Sequence, residues 1–319
     1  MRILLAVDGS PSADRARDLV AAMPVNAGGS VRIVSVAPTL ADLVGPSWGI
    51  AATADLGEIE ADAVALHRDA LEATMTELRC ARSDLEIEAV LRRGRPASII
   101  VEEARLMSAD LVVVGHRGHG TWESLLLGSV SAEIVDRAPC PVLVARGERL
   151  GPVILADDGS TYARAAEAAL LHWPIFGGLP IRIVTVIEQR FPYAVAIESL
   201  DYALAIEASA GESRATLAAA TTEADAAAGR LREAGLDARS EVRTGDPAHQ
   251  IIAGALAEEA GLIVVGTRGQ TGLRRLILGS VARKVLLHAP CSVLVVRGGT
   301  RKPLTTARTD EKELVSSFG

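Results

Sequence analysis

The sequence predicts two tandem α/β domains, each built on a doubly wound parallel sheet. Three observations lead there. The chain of 319 residues repeats itself at a period near 150. Within each repeat, short apolar runs alternate with helical stretches, the pattern of strand–helix–strand units. Each repeat also carries one glycine pattern after its fourth apolar run. The first copy is Gly115-His116-Arg117-Gly118, nine residues, then Gly128-Ser129-Val130. The second is Gly266-Thr267-Arg268-Gly269, nine residues, then Gly279-Ser280-Val281. A period of this size marks a domain duplication; solenoid repeats run about 20–50 residues.

In the first half, residues 3–7 are a continuous apolar run, as a strand buried on both faces requires. Asp8-Gly9-Ser10-Pro11 turns the chain. A helix over 12–22 follows, with Ser10 or Ser12 as N-cap. Residues 31–36 read as the second strand. A variable stretch over 37–56 is broken by Gly45, Pro46 and Gly49. Residues 59–80 carry apolar positions three and four apart, the mark of a long amphipathic helix. Strands are expected at 86–91, 111–114 and 142–144, and helices at 97–107 and 129–137. The second half repeats this order. Its strands fall at 153–156, 181–187, 238–242, 262–265 and 293–296, and its helices at 162–172, 202–234, 248–260 and 280–288. The expected domains are 1–147 and 151–298. Gly298-Gly299 opens a polar tail, 299–319, read as disordered.

Composition excludes several classes. Thirty-three basic against 40 acidic residues give a net charge of −7, the wrong sign for a nucleic-acid backbone. Aromatic residues, at 3%, are too few for a base-stacking platform. No apolar run reaches the ~18–20 residues of a membrane span. Met1-Arg2 leads straight into a strand, without a secretory leader. The expectation is a cytoplasmic protein with neither nucleic-acid nor membrane partner. Cys140 and Cys291 precede equivalent strands and Cys80 stands alone, so all three read as free thiols in a reducing compartment.

A strand that feeds a glycine turn and then a Gly-Ser helix start can cradle a phosphate. Glycine admits backbone N–H groups to an anion without a Cβ in the way. The helix start adds unpaired N–H donors and a favourable dipole. The competing reading is a tight turn that packs helix on sheet. Two copies at one spacing, each with an aspartate after strand one (Asp8, Asp158), favour the phosphate. Ligands of parallel sheets sit at strand carboxyl ends where the winding reverses. If strands one and four are neighbours, Asp8 and Gly115 line one crevice. Arg117 and Arg268 read equally as phosphate-facing groups or surface ion pairs. His116 and His119 read as solvent-facing loop residues, because Thr267 and Gln270 replace them and no third metal ligand is in view. Trp48 reads as a cover over a nucleotide or as a dimer contact.

On these residues the chain resembles a tandem universal stress protein, across nearly all of both halves. The ATP-binding subclass of that family carries Gly, two residues, Gly, nine residues, Gly, then Ser or Thr, and both halves match. The resemblance implies a five-stranded parallel sheet of order 3-2-1-4-5 in each half, of the nucleotide alpha hydrolase type. It implies a stress-response regulator that binds ATP, with Asp8 and Asp158 near the ribose and phosphates. Gly115, Gly118, Gly128, Ser129 and Val130 would hold the first nucleotide. Gly266, Gly269, Gly279, Ser280 and Val281 would hold the second. Backbone near Val36-Ala37 and Val186-Ile187 would pair with the adenine edge. Magnesium would arrive with ATP near Asp8 and Asp158, with no direct protein ligand set. Single-domain members dimerise through the last strand, so a tandem chain is expected to form that contact internally, as a pseudo-dimer of 142–144 against 293–296. A homodimer of the whole chain stays open.

The motif has no P-loop lysine, and no Ser, His and Asp arrangement recurs in both halves. A binding protein is therefore favoured over an enzyme, and any ATP hydrolysis is expected to be slow and magnesium-dependent. Binders of AMP or cyclic AMP, and a nucleotide-free structural protein, are the alternatives. One departure stands out: Asp157 occupies the place of Val7. An extra carboxylate beside Asp158 would repel a polyphosphate and weaken the second site. The other reading sends Asp157 to the far face of the strand, paired with an arginine under a helix.

Overall fold

Every expected strand and helix forms, in the expected order. A computed structural model describes residues 1–26, 28–39, 56–118, 127–188, 201–267, 269 and 278–298, with 56 and 201–213 as backbone alone. Trp48, His119, Arg268, Gln270 and the 299–319 tail lie outside the described residues. The first half contains β1 (Arg2–Val7), α1 (Pro11–Ala22), β2 (Ser30–Ala37), α2 (Leu56–Ala81), β3 (Glu86–Arg93), α3 (Pro96–Leu106), β4 (Leu111–Gly115), α4 (Ser129–Arg137) and β5 (Val142–Ala145). The second contains β6 (Val153–Ala156), α5 (Thr161–His172), β7 (Ile181–Ile187), α6 (Asp201–Glu233), β8 (Ala238–Thr244), α7 (Pro247–Ala257), β9 (Leu262–Gly266), α8 (Ser280–His288) and β10 (Ser292–Val296). A single 3-10 turn, Pro174–Phe176, follows α5.

The strands form one sheet in the order β3-β2-β1-β4-β5-β10-β9-β6-β7-β8. Each half is parallel with order 3-2-1-4-5. Where the halves meet, β5 and β10 run antiparallel, with Val144 opposite Val293, Leu143 opposite Leu294 and Val142 opposite Val295. These six residues are buried. An open apolar edge is a template for association, and each last strand here covers the other.

Strand residues alternate between two helical layers. Ile3, Leu5 and Val7 share a core with Leu19 of α1 and Leu78 of α2. Leu4 and Ala6 share the opposite core with Ile100 of α3 and Ile134 of α4. Ser10, not Ser12, caps α1: its Oγ accepts from the Ala13 N–H at 3.3 Å. Ser160 caps α5 in the same way, at 3.1 Å from the Ala163 N–H. The turns before these caps place Gly9 at φ +80° and Gly159 at φ +72°, a region that glycine enters without strain. The first two helices of each half are bridged by an ion pair with the charges exchanged. Arg17 of α1 meets Glu77 of α2 at 2.7 Å; Glu167 of α5 meets Arg230 of α6 at 2.5 and 2.8 Å.

Two arginines that follow the last strands cross the junction. Arg146 donates to the Leu286 carbonyl at 2.5 Å, in the last turn of α8. Arg297 donates to the Val135 carbonyl at 2.6 Å, in the last turn of α4. A helix leaves its final carbonyls without internal partners, and a cation there also complements the dipole. Each half thus closes the C-terminal end of the other half's glycine-started helix. Ser292 Oγ adds acceptance from the Arg146 and Gly147 N–H groups at 3.1 and 3.3 Å.

Arg146→Met keeps much of the stem but strands the α8 carbonyls. The expected loss is about 1–3 kcal/mol of unfolding free energy, measured by urea denaturation of the full chain, with Arg146→Lys recovering part of it. Equal stability of all three proteins would remove the cross-junction cap from the energetics.

Candidate functional site

β1 and β4 are neighbours, with Ala6 opposite Val114. Asp8, one residue past β1, and Gly115, the last of β4, therefore open on one crevice. A cavity of about 690 Å³ lies there, lined by Asp8, Val36, Gly115, Arg117, Gly118, Gly128, Ser129 and Val130. Pro38, Pro96, Ile100 and His67 also border it. Ala37 is not among its lining residues; it is buried, and its carbonyl accepts from the Gly94 N–H at 3.0 Å.

The glycines of the pattern do different work. A Cβ at Gly115 would lie 2.7 Å from the Ser12 backbone, and one at Gly266 would lie 2.8 Å from the Tyr162 backbone. These two glycines let β4 and β9 end against the first turns of α1 and α5, and Gly115 also borders the cavity. A Cβ at Gly118 would lie 2.6 Å from Asp8 Oδ2, and one at Gly269 would lie 2.6 Å from Asp158 Oδ2. The aspartate carboxylate thus rests on the second glycine in both halves. Its other oxygen is held from behind. Asp8 Oδ1 accepts from the Ser10 N–H and Oγ–H at 3.0 and 2.6 Å, and Asp158 Oδ1 accepts from the Ser160 N–H at 3.1 Å.

The third glycine closes the loop and starts the helix. Gly128 N–H donates to the His116 carbonyl, and Gly279 N–H to the Thr267 carbonyl, both at 2.8 Å. Neither glycine offers a side-chain cap, and neither α4 nor α8 has an acidic residue in its first turn. The first-turn N–H groups beside Ser129–Val130 and Ser280–Val281 face no competing anion on their own helices. In the second half Val186 and Ile187 end β7 as Val36 and Ala37 end β2, and the Ile187 carbonyl accepts from the Gly245 N–H at 3.0 Å. Among the described residues, no three His, Cys, Asp or Glu side chains gather as a metal site. Among them also, no helix is long and apolar enough to cross a membrane.

The universal stress protein family model matches this sequence twice, over residues 1–146 and 150–297. The chain belongs to the universal stress protein family. A Mycobacterium tuberculosis universal stress protein is 28% identical over 258 residues, 79% of this chain and 80% of that one. One from Mycolicibacterium smegmatis is 31% identical over 234 residues, 67% and 69% of the two chains. In fold, a crystal structure of a universal stress protein from Archaeoglobus fulgidus matches with a TM-score of 0.63 at 19% identity, over 93% of this chain and 98% of that one.

Three residues of this universal stress protein have surroundings that its sequence misjudged, left open or did not mark. His116 is half-buried, not solvent-facing, and its Nδ1 lies 2.8 Å from Ser12 Oγ. The close approach of Gly115 to Ser12 draws the next residue in with it. Burial, with Arg146 and Arg117 adding repulsion, pushes the His116 pKa down to about 4. Asp157 is buried on the face of β6 toward α5 and α6, accepting from the Gly159 N–H at 2.8 Å. Burial raises its pKa, and Glu167 and Glu223 add to the effect. Asp157 therefore lies on the helix-facing side of its strand, the second of the two readings of its position, and the repulsion of a polyphosphate loses its basis. Arg230 of α6 donates to Glu167 and acts on Asp157 only through its field. His67, the third, received no reading from sequence. Its Nδ1 lies 2.9 Å from Ser35 Oγ, which donates to the Val7 carbonyl at 2.8 Å. A single histidine in a polar helical stretch carries no periodic signal, and nothing in the chain's pattern marks it. Cys140 and Cys291 are buried free thiols as expected, each pushed up to about 12 by burial.

Two pH experiments follow from these surroundings. Unfolded, His116 titrates near its ordinary value of 6.5, whereas the fold resists its proton until about pH 4. Its contribution to stability is full above pH 6.5 and falls as pH drops through that window, by on the order of 2 kcal/mol after allowance for partial exposure. His116→Thr, the residue type of position 267, should flatten the urea midpoint between pH 4.5 and 7; an unchanged slope would refute this. Asp157 runs the opposite way. The fold favours its protonated form, so its charge costs stability as pH rises past the ordinary carboxylate range. Asp157→Asn should raise the thermal midpoint at pH 7, not at pH 3, and leave the second crevice's ligand affinity unchanged. A gain in that affinity would restore the repulsion.

Proposed function

We propose that this universal stress protein is an ATP-binding regulator of the stress response, with one adenine-nucleotide crevice in each half. One observation carries the reading. In both halves the same second glycine sits against the strand-one aspartate, in front of a helix start that has no side-chain cap and no acid. The nucleotide phosphates are assigned to the backbone around Gly118, Gly128, Ser129 and Val130, and around Gly269, Gly279, Ser280 and Val281. Gly115 and Gly266, packed on the first turns of α1 and α5, are assigned to the floor of each crevice beneath the phosphates. Arg117, bordering the first cavity, is assigned to the phosphate edge, with Arg268 as its counterpart. The adenine edge is assigned to the backbone at Val36–Ala37 and at Val186–Ile187.

Magnesium suits this arrangement as a companion of ATP. It keeps several waters and takes only one or two carboxylates besides phosphate oxygens. Asp8 and Asp158 each present one carboxylate oxygen to the crevice side and hold the other on the turn. Binding is favoured over hydrolysis, because the first half contains no lysine at all to clamp a transferring phosphate. We read 1–147 and 151–298 as the two domains of a cytoplasmic protein. The β5–β10 pairing is their internal pseudo-dimer contact, which leaves a whole-chain homodimer to other surfaces.

Denaturing the purified protein and separating the supernatant by chromatography should release adenine nucleotide. Calorimetry with ATP and magnesium should show two binding equivalents, both weakened by EDTA. A side chain at Gly118 or Gly269 displaces the aspartate and crowds the phosphates. Losing two charge-assisted contacts at about 1.5–3 kcal/mol each weakens binding by ~100-fold or more. Gly118→Val and Gly269→Val should each remove one equivalent and the double variant both. Wild-type affinity in the double variant would sink the proposal.

A further inference from the structure

We infer that the first half carries a cationic subsite, formed by Arg15, Arg117 and Arg146, that holds the outermost phosphate of a nucleoside triphosphate, and that the second half lacks the same grip. The inference rests on the nucleotide reading above and adds a selection by phosphate number that differs between the two crevices.

The strand order acts as a ruler. Toward the junction the first half runs β2-β1-β4-β5, with neighbours about 4.8 Å apart. On the nucleotide reading, the adenine edge lies at the end of β2 and the first phosphates lie beside Asp8 and Gly118, at the ends of β1 and β4. A phosphate chain continued in that direction next meets the end of β5, where Arg146 stands. A monophosphate stops short of it.

Three arginines converge on that place. The His116 N–H donates to the Ala145 carbonyl at 3.1 Å, so Arg117 and Arg146 leave the sheet on neighbouring chains. Arg117 also borders the cavity. Arg15 comes from α1, which packs on β4 and β5. Ser12 of that helix touches His116, and Arg15 lies one turn further on. Arg17 marks the opposite flank of α1, where it meets Glu77 of α2. Two residues apart on a helix, Arg15 and Arg17 project from different sides, so Arg15 is turned away from α2. Burial, and then the fields of Arg146, Arg117 and Arg15, disfavour a proton on His116. Among the described residues neither Arg15 nor Arg146 pairs with a carboxylate. Arg146 spends its Nη2 on the Leu286 and Leu287 carbonyls, and Glu148, the nearest acid along the chain, is exposed. Like charges gathered in this way repel one another. A phosphate relieves all three at once, and the arginine fork matches its oxygens.

The second half is built differently at the same place. Ala165 stands where Arg15 does, Thr267 where His116 does, and Tyr162 where Ser12 does. A Cβ built at Gly298 would lie 2.8 Å from the Tyr162 ring, whereas among the described residues nothing lies within 4 Å of one built at Gly147. The ring thus takes up space in the second half that the first leaves open.

The test is calorimetry with magnesium on the full chain carrying Gly269→Val, so that the first crevice alone takes ligand. ATP, ADP and AMP are compared. The ratio of ATP to AMP affinity should be larger than in the Gly118→Val chain, which binds through the second crevice. Adding Arg15→Gln should weaken ATP about 3- to 10-fold, the worth of one partly exposed charge-assisted contact, and leave AMP unchanged. Arg15→Lys, which keeps the charge, should recover part of the loss; matching urea midpoints of the two variants keep folding out of the comparison. Phosphorus NMR of bound ATP gives a second reading, in which Arg15→Gln should move the γ signal more than the α signal. A ratio untouched by Arg15→Gln, an equal loss for ATP and AMP, equal ratios at the two crevices, or a γ signal that stays in place overturns this inference alone. Failure of the wild-type chain to bind any of the three nucleotides overturns the nucleotide reading and this one with it.

Discussion

The antiparallel pairing of β5 with β10 is the contact on which the rest of the molecule depends. Each half on its own would end its sheet in a short strand of valine and leucine, apolar on both faces and open at one edge. Such an edge must be covered, and the duplication supplies the cover from within the chain. The pairing also places Arg146 and Arg297 where each reaches the last turn of the other half's glycine-started helix. The helix whose first turn faces a crevice is therefore held at its far end by the opposite half. The glycine-started helix of each half is anchored across the junction as well as on its own sheet.

Duplicated halves show which features the architecture demands and which it tolerates. The second glycine rests on the aspartate at 2.6 Å in both copies. The loop closure from the third glycine is 2.8 Å in both. By contrast, the ion pair between the first two helices keeps its place while its charges change sides. A salt bridge needs opposite charges in contact and is indifferent to which helix supplies which. Val7 and Asp157 differ more sharply: one fills a core, and the other buries a carboxyl that accepts from the Gly159 N–H. That exchange is tolerated because it lies on the helix-facing side of the strand, away from the crevice.

Much of the fold was legible in the sequence because the same signals occur twice. Continuous apolar runs marked the buried strands, and the periodicity of 59–80 marked α2. The ends were less legible. Arg92, Arg93, Arg243 and Thr244 extend β3 and β8 but are polar residues of outer strands, which read as loop. The Pro174–Phe176 turn was missed because its apolar residues, Ile175 and Phe176, are buried by tertiary packing after the helix stop. At the site, the glycines and aspartates were legible from spacing. Their division of labour was not, because only the backbone of Ser12 and Tyr162 shows why Gly115 and Gly266 must be glycine. His67 and His116 were illegible for one reason: their settings come from Ser35 and Ser12, far away in sequence.

The groups around the first cavity are made of two kinds of material. The second and third glycines, the helix start and the aspartate are fixed by backbone: the aspartate is held by its own turn, and the loop closes through a main-chain hydrogen bond in both copies. Backbone geometry changes little when side chains drift, so both copies keep it. The side chains beside it differ: Ser35 and His67 in the first half, Thr185 in place of Ser35 in the second. Side chains there can change without disturbing the sheet, since α2 and α6 are anchored further along at Leu78 and Leu231. On the nucleotide reading proposed above, a duplicated domain built in this way keeps its grip on the charged part of a ligand while the two copies become free to differ over the rest.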